Sequence, residues 1–101
     1  MHYTQNEKLT QITSNTLLIG VDIAKNKQVA RVFDDRGFEF GKRISFSNDR
    51  EGFEAFLQWA AMHQENHHKT DMIVGMEPTG HYWLPLAYYL KDRGHFVALV
   101  N

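Results

Sequence analysis

The spacing of apolar residues changes partway along the chain. Up to residue 47 they fall in short runs and alternations, and from residue 53 they also recur three and four apart. "LLIGVDIA", residues 17–24, is a short apolar run that predicts a first β-strand, and "KNK" supplies a turn after it. In "QVARVFDD", residues 28–35, Val29, Arg31 and Phe33 alternate with Ala30 and Val32, which predicts a second strand. "DDRG" is a turn signal, and "FEFGKRISF", residues 38–46, predicts a third strand with a bulge at Gly41. Links this short imply an antiparallel meander.

The period then lengthens. "NDREGFEAFLQWAAMHQENHH", residues 48–68, places Phe53, Phe56, Leu57 and Ala60 on one helical stripe. Asn48 followed by Glu51 resembles a capping box at its start. "DMIVGM", residues 71–76, is continuously apolar after its first residue, as expected of a buried parallel strand. "HYWLPLAYYLKDRG", residues 81–94, predicts a second helix with Trp83, Leu86, Ala87 and Leu90 on one face. Pro85 belongs in its first turn and Gly94 just past its end. "HFVALVN" predicts a fifth strand. The order βββαβαβ calls for right-handed crossovers and a mixed α/β sheet in the order 3-2-1-4-5, with strands one, four and five parallel.

Within this pattern two carboxylates are out of place. Asp22 sits inside the first apolar run, although Asp is depleted in strands. Glu77 closes the fourth strand just before a Pro-Thr-Gly turn. If strands one and four are parallel neighbours, about 4.8 Å apart, the two carboxylates meet at their C-terminal ends. There they repel, unless one is protonated or a hard divalent ion, Mg²⁺ or Mn²⁺, sits between them. Taken singly, Asp22 serves equally as a cap of the "KNK" turn, and Glu77 as a partner for a Lys or a helix cap. The topology favours the paired reading.

Composition narrows the field. The chain has 101 residues, enough for one small domain, and no Cys, which excludes disulfides and thiolate metal sites. No apolar run is long enough to span a bilayer, and residues 1–15 are a polar N-terminal tail without a signal-peptide core. These features make the cytoplasm the default location. Net charge is -1, so bulk charge carries no nucleic-acid signature. Lys25 and Lys27 flank the expected site, where they either touch a phosphate backbone or are simply solvated. Thr79 and Gly80 precede a helix, which suits either a phosphate at the helix N-terminus or an N-cap. His63, His67 and His68 include an i, i+4 pair, but no third zinc ligand is evident and a solvated helix end is expected. Tyr88 or Tyr89 is expected to be exposed, for contact with a base or another subunit.

"GVDIAK", the meander, "GMEPTGHYWLPLAYYL" and "VALVN" together resemble the DEDD insertion-sequence transposases of the IS-one-ten group, from about residue 17 to residue 101. The N-terminal domain of that family is similar to the Holliday-junction resolvase RuvC and has a ribonuclease H-like fold. The resemblance implies that Asp22 and Glu77 are catalytic and hold Mg²⁺ or Mn²⁺. It places two further catalytic Asp residues, and a second domain with a serine implicated in strand exchange, beyond residue 101. Residues 16–101 then form a partial RuvC-like catalytic domain, inactive by itself, within a longer bacterial or archaeal protein. The implied activity is cutting and rejoining DNA at mobile-element ends. The implied partners are DNA, a guide RNA and further copies of the chain, with no membrane. Two other classes remain open. One is an actin- or sugar-kinase-like ATP-binding lobe, against which Ala24 stands where a phosphate loop usually has Gly. The other is a non-catalytic assembly or RNA-docking module.

Overall fold

A computed structural model describes residues 12–100. Its elements are β1 (Thr16–Asp22), β2 (Lys27–Phe33), β3 (Ile44–Ser47), α1 (Arg50–Asn66), β4 (Asp71–Met76), α2 (Leu84–Asp92) and β5 (Phe96–Leu99). The five strands form one sheet in the order β3-β2-β1-β4-β5. β1 pairs antiparallel with β2 and parallel with β4, and β4 pairs parallel with β5. This is the expected topology, consistent with a ribonuclease H-like fold.

One face of the sheet makes the core. Leu17, Ile19 and Val21 of β1, Ala30 and Val32 of β2, and Val74 and Met76 of β4 are buried against the helices. Phe53, Phe56 and Ala60 of α1 and Leu86, Ala87 and Leu90 of α2 meet them, so both expected stripes pack as the helical period requires. Leu57 and Trp83 are partly buried at the margins. On the opposite face β1 presents Gly20 and Asp22, which are exposed, and β2 presents Arg31, also exposed, and Phe33. Period-two alternation thus sorts core from cleft.

Three local details differ from the sequence reading. The third strand begins at Ile44, not Phe38. The Asp34 carboxylate accepts from the N–H groups of Arg36 and Phe38, both at 2.9 Å, and reverses the chain. Residues 38–40 run briefly beside β2 through a bridge of Glu39 to Phe33, and Gly41, at φ 57°, then turns the backbone out of the extended region. The N-cap of α1 is Asp49, whose carboxylate accepts from Gly52 N–H at 2.9 Å, and not Asn48. Both residues suit the position, but Asn48 is engaged elsewhere. Finally, residues 1–11 of the expected polar tail lie outside the described residues, whereas residues 12–15 lead into β1. The Asn15 carbonyl there accepts from the N–H groups of Thr70 and Asp71, at 2.9 and 3.1 Å, at the start of β4.

Candidate functional site

Parallel pairing of β1 with β4 ends at Val21 opposite Met76. Asp22 is the next residue on one strand and Glu77 the next on the other, so the register brings the two carboxylates to the same end of adjacent strands. Both are exposed and line one cleft of about 330 Å³ on the sheet face opposite α1 and α2, with Gly20, Arg31, Gly75 and Thr79. Crevices beyond the carboxyl ends of parallel strands are where ligands collect in α/β sheets. Among the described residues neither carboxylate takes part in a hydrogen bond or an ion pair, so their lone pairs face solvent.

The backbone after each carboxylate is held in place. Gln28 is fully buried; its Oε1 accepts from Ala24 N–H and its Nε2 donates to Ala24 O, both at 2.8 Å, closing the turn that follows Asp22. Asn48 Nδ2 donates to Lys25 O and to Tyr82 O, each at 3.2 Å. One amide therefore joins the segment after Asp22 to the segment after Glu77. Neither role was foreseen from the sequence: the Asn48 bonds reach loops distant along the chain, and the Gln28–Ala24 pair, though local, forms only once β2 buries the glutamine.

The other sequence candidates separate. Thr79 lines the cleft, but α2 starts only at Leu84, and its N-cap, Trp83, makes no side-chain capping bond. Thr79 is therefore not an N-cap. Gly80 takes φ 65°, and its carbonyl accepts from Trp83 Nε1 at 3.1 Å. Lys25 and Lys27 are exposed at the same end of the sheet but do not line the cleft; Lys27 pairs with Ser47 across the β2–β3 ladder.

Arg31 was not among the sequence candidates, although it alternates onto the face of Asp22. It stands opposite Gly20 in the β1–β2 ladder. Glu39 accepts from its Nε at 3.0 Å and from its Nη2 at 2.7 Å. This bidentate bond, and the Glu39 charge, push the Arg31 pKa above its ordinary value, with Asp22 adding a smaller pull in the same direction. The cleft thus carries two free carboxylates on one side and a braced guanidinium on the other.

Among the described residues no three His, Cys, Asp or Glu side chains are grouped to hold an ion. His63 is buried rather than solvated. It stacks on His67 at 5.6 Å, and His67 stacks on Phe40 at 3.8 Å. Burial, and then the charge of His67, push the His63 pKa down. Tyr88 is the exposed tyrosine of α2, while Tyr89 packs against Phe53.

The transposase family model for the DEDD proteins of the IS-one-ten group (IS110) matches residues 19–101. The pilin gene-inverting proteins of Moraxella lacunata and Moraxella bovis are each 32% identical to this chain over 83 residues, 82% of its length. The match spans 24% of each relative, so the chain corresponds to about a quarter of the curated proteins it resembles. Nothing in these matches supports the kinase-like alternative. With the family model covering everything from the middle of β1 onwards, the chain belongs to the DEDD transposase family of the IS-one-ten group.

Proposed function

We propose that this chain supplies part of the catalytic domain of a DNA recombinase, which cuts and rejoins DNA at the ends of a mobile element using divalent metal. Asp22 and Glu77 are the catalytic carboxylates and metal ligands. The observation that carries the reading is their position: both stand at the carboxyl ends of paired parallel strands and line one cleft, in a member of a transposase family. The names of the pilin gene-inverting relatives agree with DNA rearrangement as the class of activity.

The donor set fits a hard divalent ion. Two carboxylates with free lone pairs are oxygen ligands of the type Mg²⁺ and Mn²⁺ take. When bound, such an ion polarises the scissile phosphate and makes the attacking oxygen a better nucleophile. The chain's own contribution is placement. The β1–β4 register fixes the two carboxylates side by side, Gln28 and Asn48 hold the backbone behind them, and Thr79 lines the path a DNA strand follows into the cleft. Lys25, Lys27 and Gly80 lie outside its lining and act, if they touch DNA, on the flanking backbone. The partners on this reading are DNA at the element ends and at the target, with a guide RNA and further copies of the chain joining in the complete recombinase. Its place of work is the cytoplasm; no helix among the described residues is long and apolar enough to cross a membrane.

Recombination by the full-length protein tests this. Asp22→Asn and Glu77→Gln should each abolish strand cleavage while leaving the circular dichroism spectrum unchanged. Near-normal cleavage by either variant removes that residue from the mechanism.

A further inference from the structure

The cleft has an unusual floor. Gly20 of β1 and Gly75 of β4 are direct neighbours in the parallel register, and each lies in the interior of its strand. Glycine weakens a strand interior and often marks a place where a ligand approaches the backbone closely. Packing does not demand it here. A Cβ on Gly20 would meet nothing nearer than the Phe33 ring at 3.9 Å, and one on Gly75 nothing nearer than the Ile19 carbonyl at 3.7 Å. Both are ordinary contacts, and neither residue needs a left-handed backbone. The two glycines therefore leave a bare strip of backbone that runs beside the Asp22–Glu77 pair and ends at Arg31.

Arg31 is built to face that strip. It is opposite Gly20 in register and about half exposed. An arginine has five N–H donors in a rigid fork. Glu39 takes one from Nε and one from Nη2, which fixes the plane of the guanidinium and leaves the donors of Nη1 free. A braced arginine with free donors beside two carboxylates can hold a phosphodiester that the carboxylates alone would repel.

We propose that Arg31 is a phosphate-binding residue of this site: it grips a phosphodiester of the DNA strand lying across Gly20 and Gly75, with Glu39 as its brace. The inference rests on the recombinase reading and adds to it a residue, a floor and a direction for the strand. The strand crosses from β4 over β1 towards β2.

Fluorescence anisotropy with a labelled four-way DNA junction and the full-length chain, in Ca²⁺ to prevent cutting, tests it. Arg31→Gln should weaken binding about tenfold and reduce the salt slope by about one phosphate contact. Gly20→Ala, whose Cβ would meet nothing nearer than the Phe33 ring at 3.9 Å, should weaken binding at unchanged melting temperature. Glu39→Gln weakens the brace but keeps the Arg31 charge, so affinity should fall less than in Arg31→Gln and the salt slope should match that of the parent. Unchanged affinity in Arg31→Gln, or an equal loss in Glu39→Gln with the salt slope kept in both, overturns the phosphate role and leaves the recombinase reading standing. A loss confined to a matched RNA junction also overturns it. Absence of DNA binding by the parent protein overturns the recombinase reading itself.

Discussion

Gly52→Ala should destabilise the fold, although it replaces glycine in a helix. Gly52 is buried in the first turn of α1, and its N–H bonds to the Asp49 cap. A Cβ there would fall on the Ser47 carbonyl oxygen and 2.7 Å from Ser47 N and C. All three atoms are backbone, at the end of β3, and cannot swing aside. Restoring contacts of about 3.5–4.0 Å, above all to the carbonyl oxygen, moves the start of α1 away from the sheet by roughly 1.5–2 Å. That shift loosens Phe56, which is fully buried and packs on the Phe46 ring at 4.9 Å. Overpacking of this kind costs about 1–3 kcal/mol, and the gain in helix propensity returns at most about 1 kcal/mol. With the clash at backbone placing the cost at the upper end of that range, the net loss is about 2 kcal/mol, or roughly 8–16 °C in melting temperature for a domain of this size. Urea denaturation followed at 222 nm measures it. Ala55→Gly, on the exposed side of the same helix, is the control and should lose only the propensity term of about 1 kcal/mol. A Gly52→Ala protein as stable as the parent would refute the close helix–strand approach.

Acid should destabilise the protein through Asp34, whose pKa is held down by the Phe38 N–H and, less strongly, by the Arg36 N–H, against the opposing effect of burial. Its contribution is therefore present above the ordinary carboxylate pKa and is lost as pH falls below about 4; Asp34→Asn should flatten that part of the stability curve. His63 and His95 are both pushed down chiefly by burial, so stability is full above about pH 6.5 and declines as they are forced to charge below it. His63→Leu should remove its share of this decline in a pH series of melting temperatures and leave that of His95. Asp22→Asn should leave the metal-free melting temperature level or raise it, because it relieves repulsion from Glu77. Mn²⁺ should bind the 101-residue chain at the weak, millimolar end of carboxylate sites, and at ten times its dissociation constant should stabilise the parent by about 1.4 kcal/mol and the variant by none. Calorimetric titration showing equal binding to both proteins would remove Asp22 as a ligand.

Some of this was legible in the sequence for simple reasons. A continuous apolar run such as "DMIVGM" has few alternatives to a buried strand, and β4 covers those six residues. Asp22 and Glu77 stood out because each breaks or ends such a run, and short links between strands left one economical topology. Much of what stayed hidden depends on partners far away in the chain. Arg31 looked like an ordinary outward residue of an alternating strand, and only the register shows it beside Gly20 and near Asp22. The adjacency of Gly20 and Gly75 exists only in the β1–β4 pairing. The third strand was drawn too long because "FEFGKRISF" alternates well, whereas the Asp34 turn and the left-handed Gly41 decide the path. Asn48 and Asp49 are equally good caps by type, and the competing bonds of Asn48 to Lys25 and Tyr82 select between them.

The position of β4 between β1 and β5 has a consequence in time. Asp22 and Glu77 are 55 residues apart, 77 minus 22. At roughly 5–20 residues per second a ribosome needs about 3–11 s to travel from one to the other. During that interval the β1–β2–β3 hairpins can form, but the edge of β1 that β4 will occupy has no partner from its own sheet. Such an edge invites pairing with another nascent chain. The same insertion that closes this edge brings the second carboxylate beside the first. Completion of the sheet and assembly of the acidic pair are therefore one event, and a chain caught before it carries neither a protected β1 nor two carboxylates side by side.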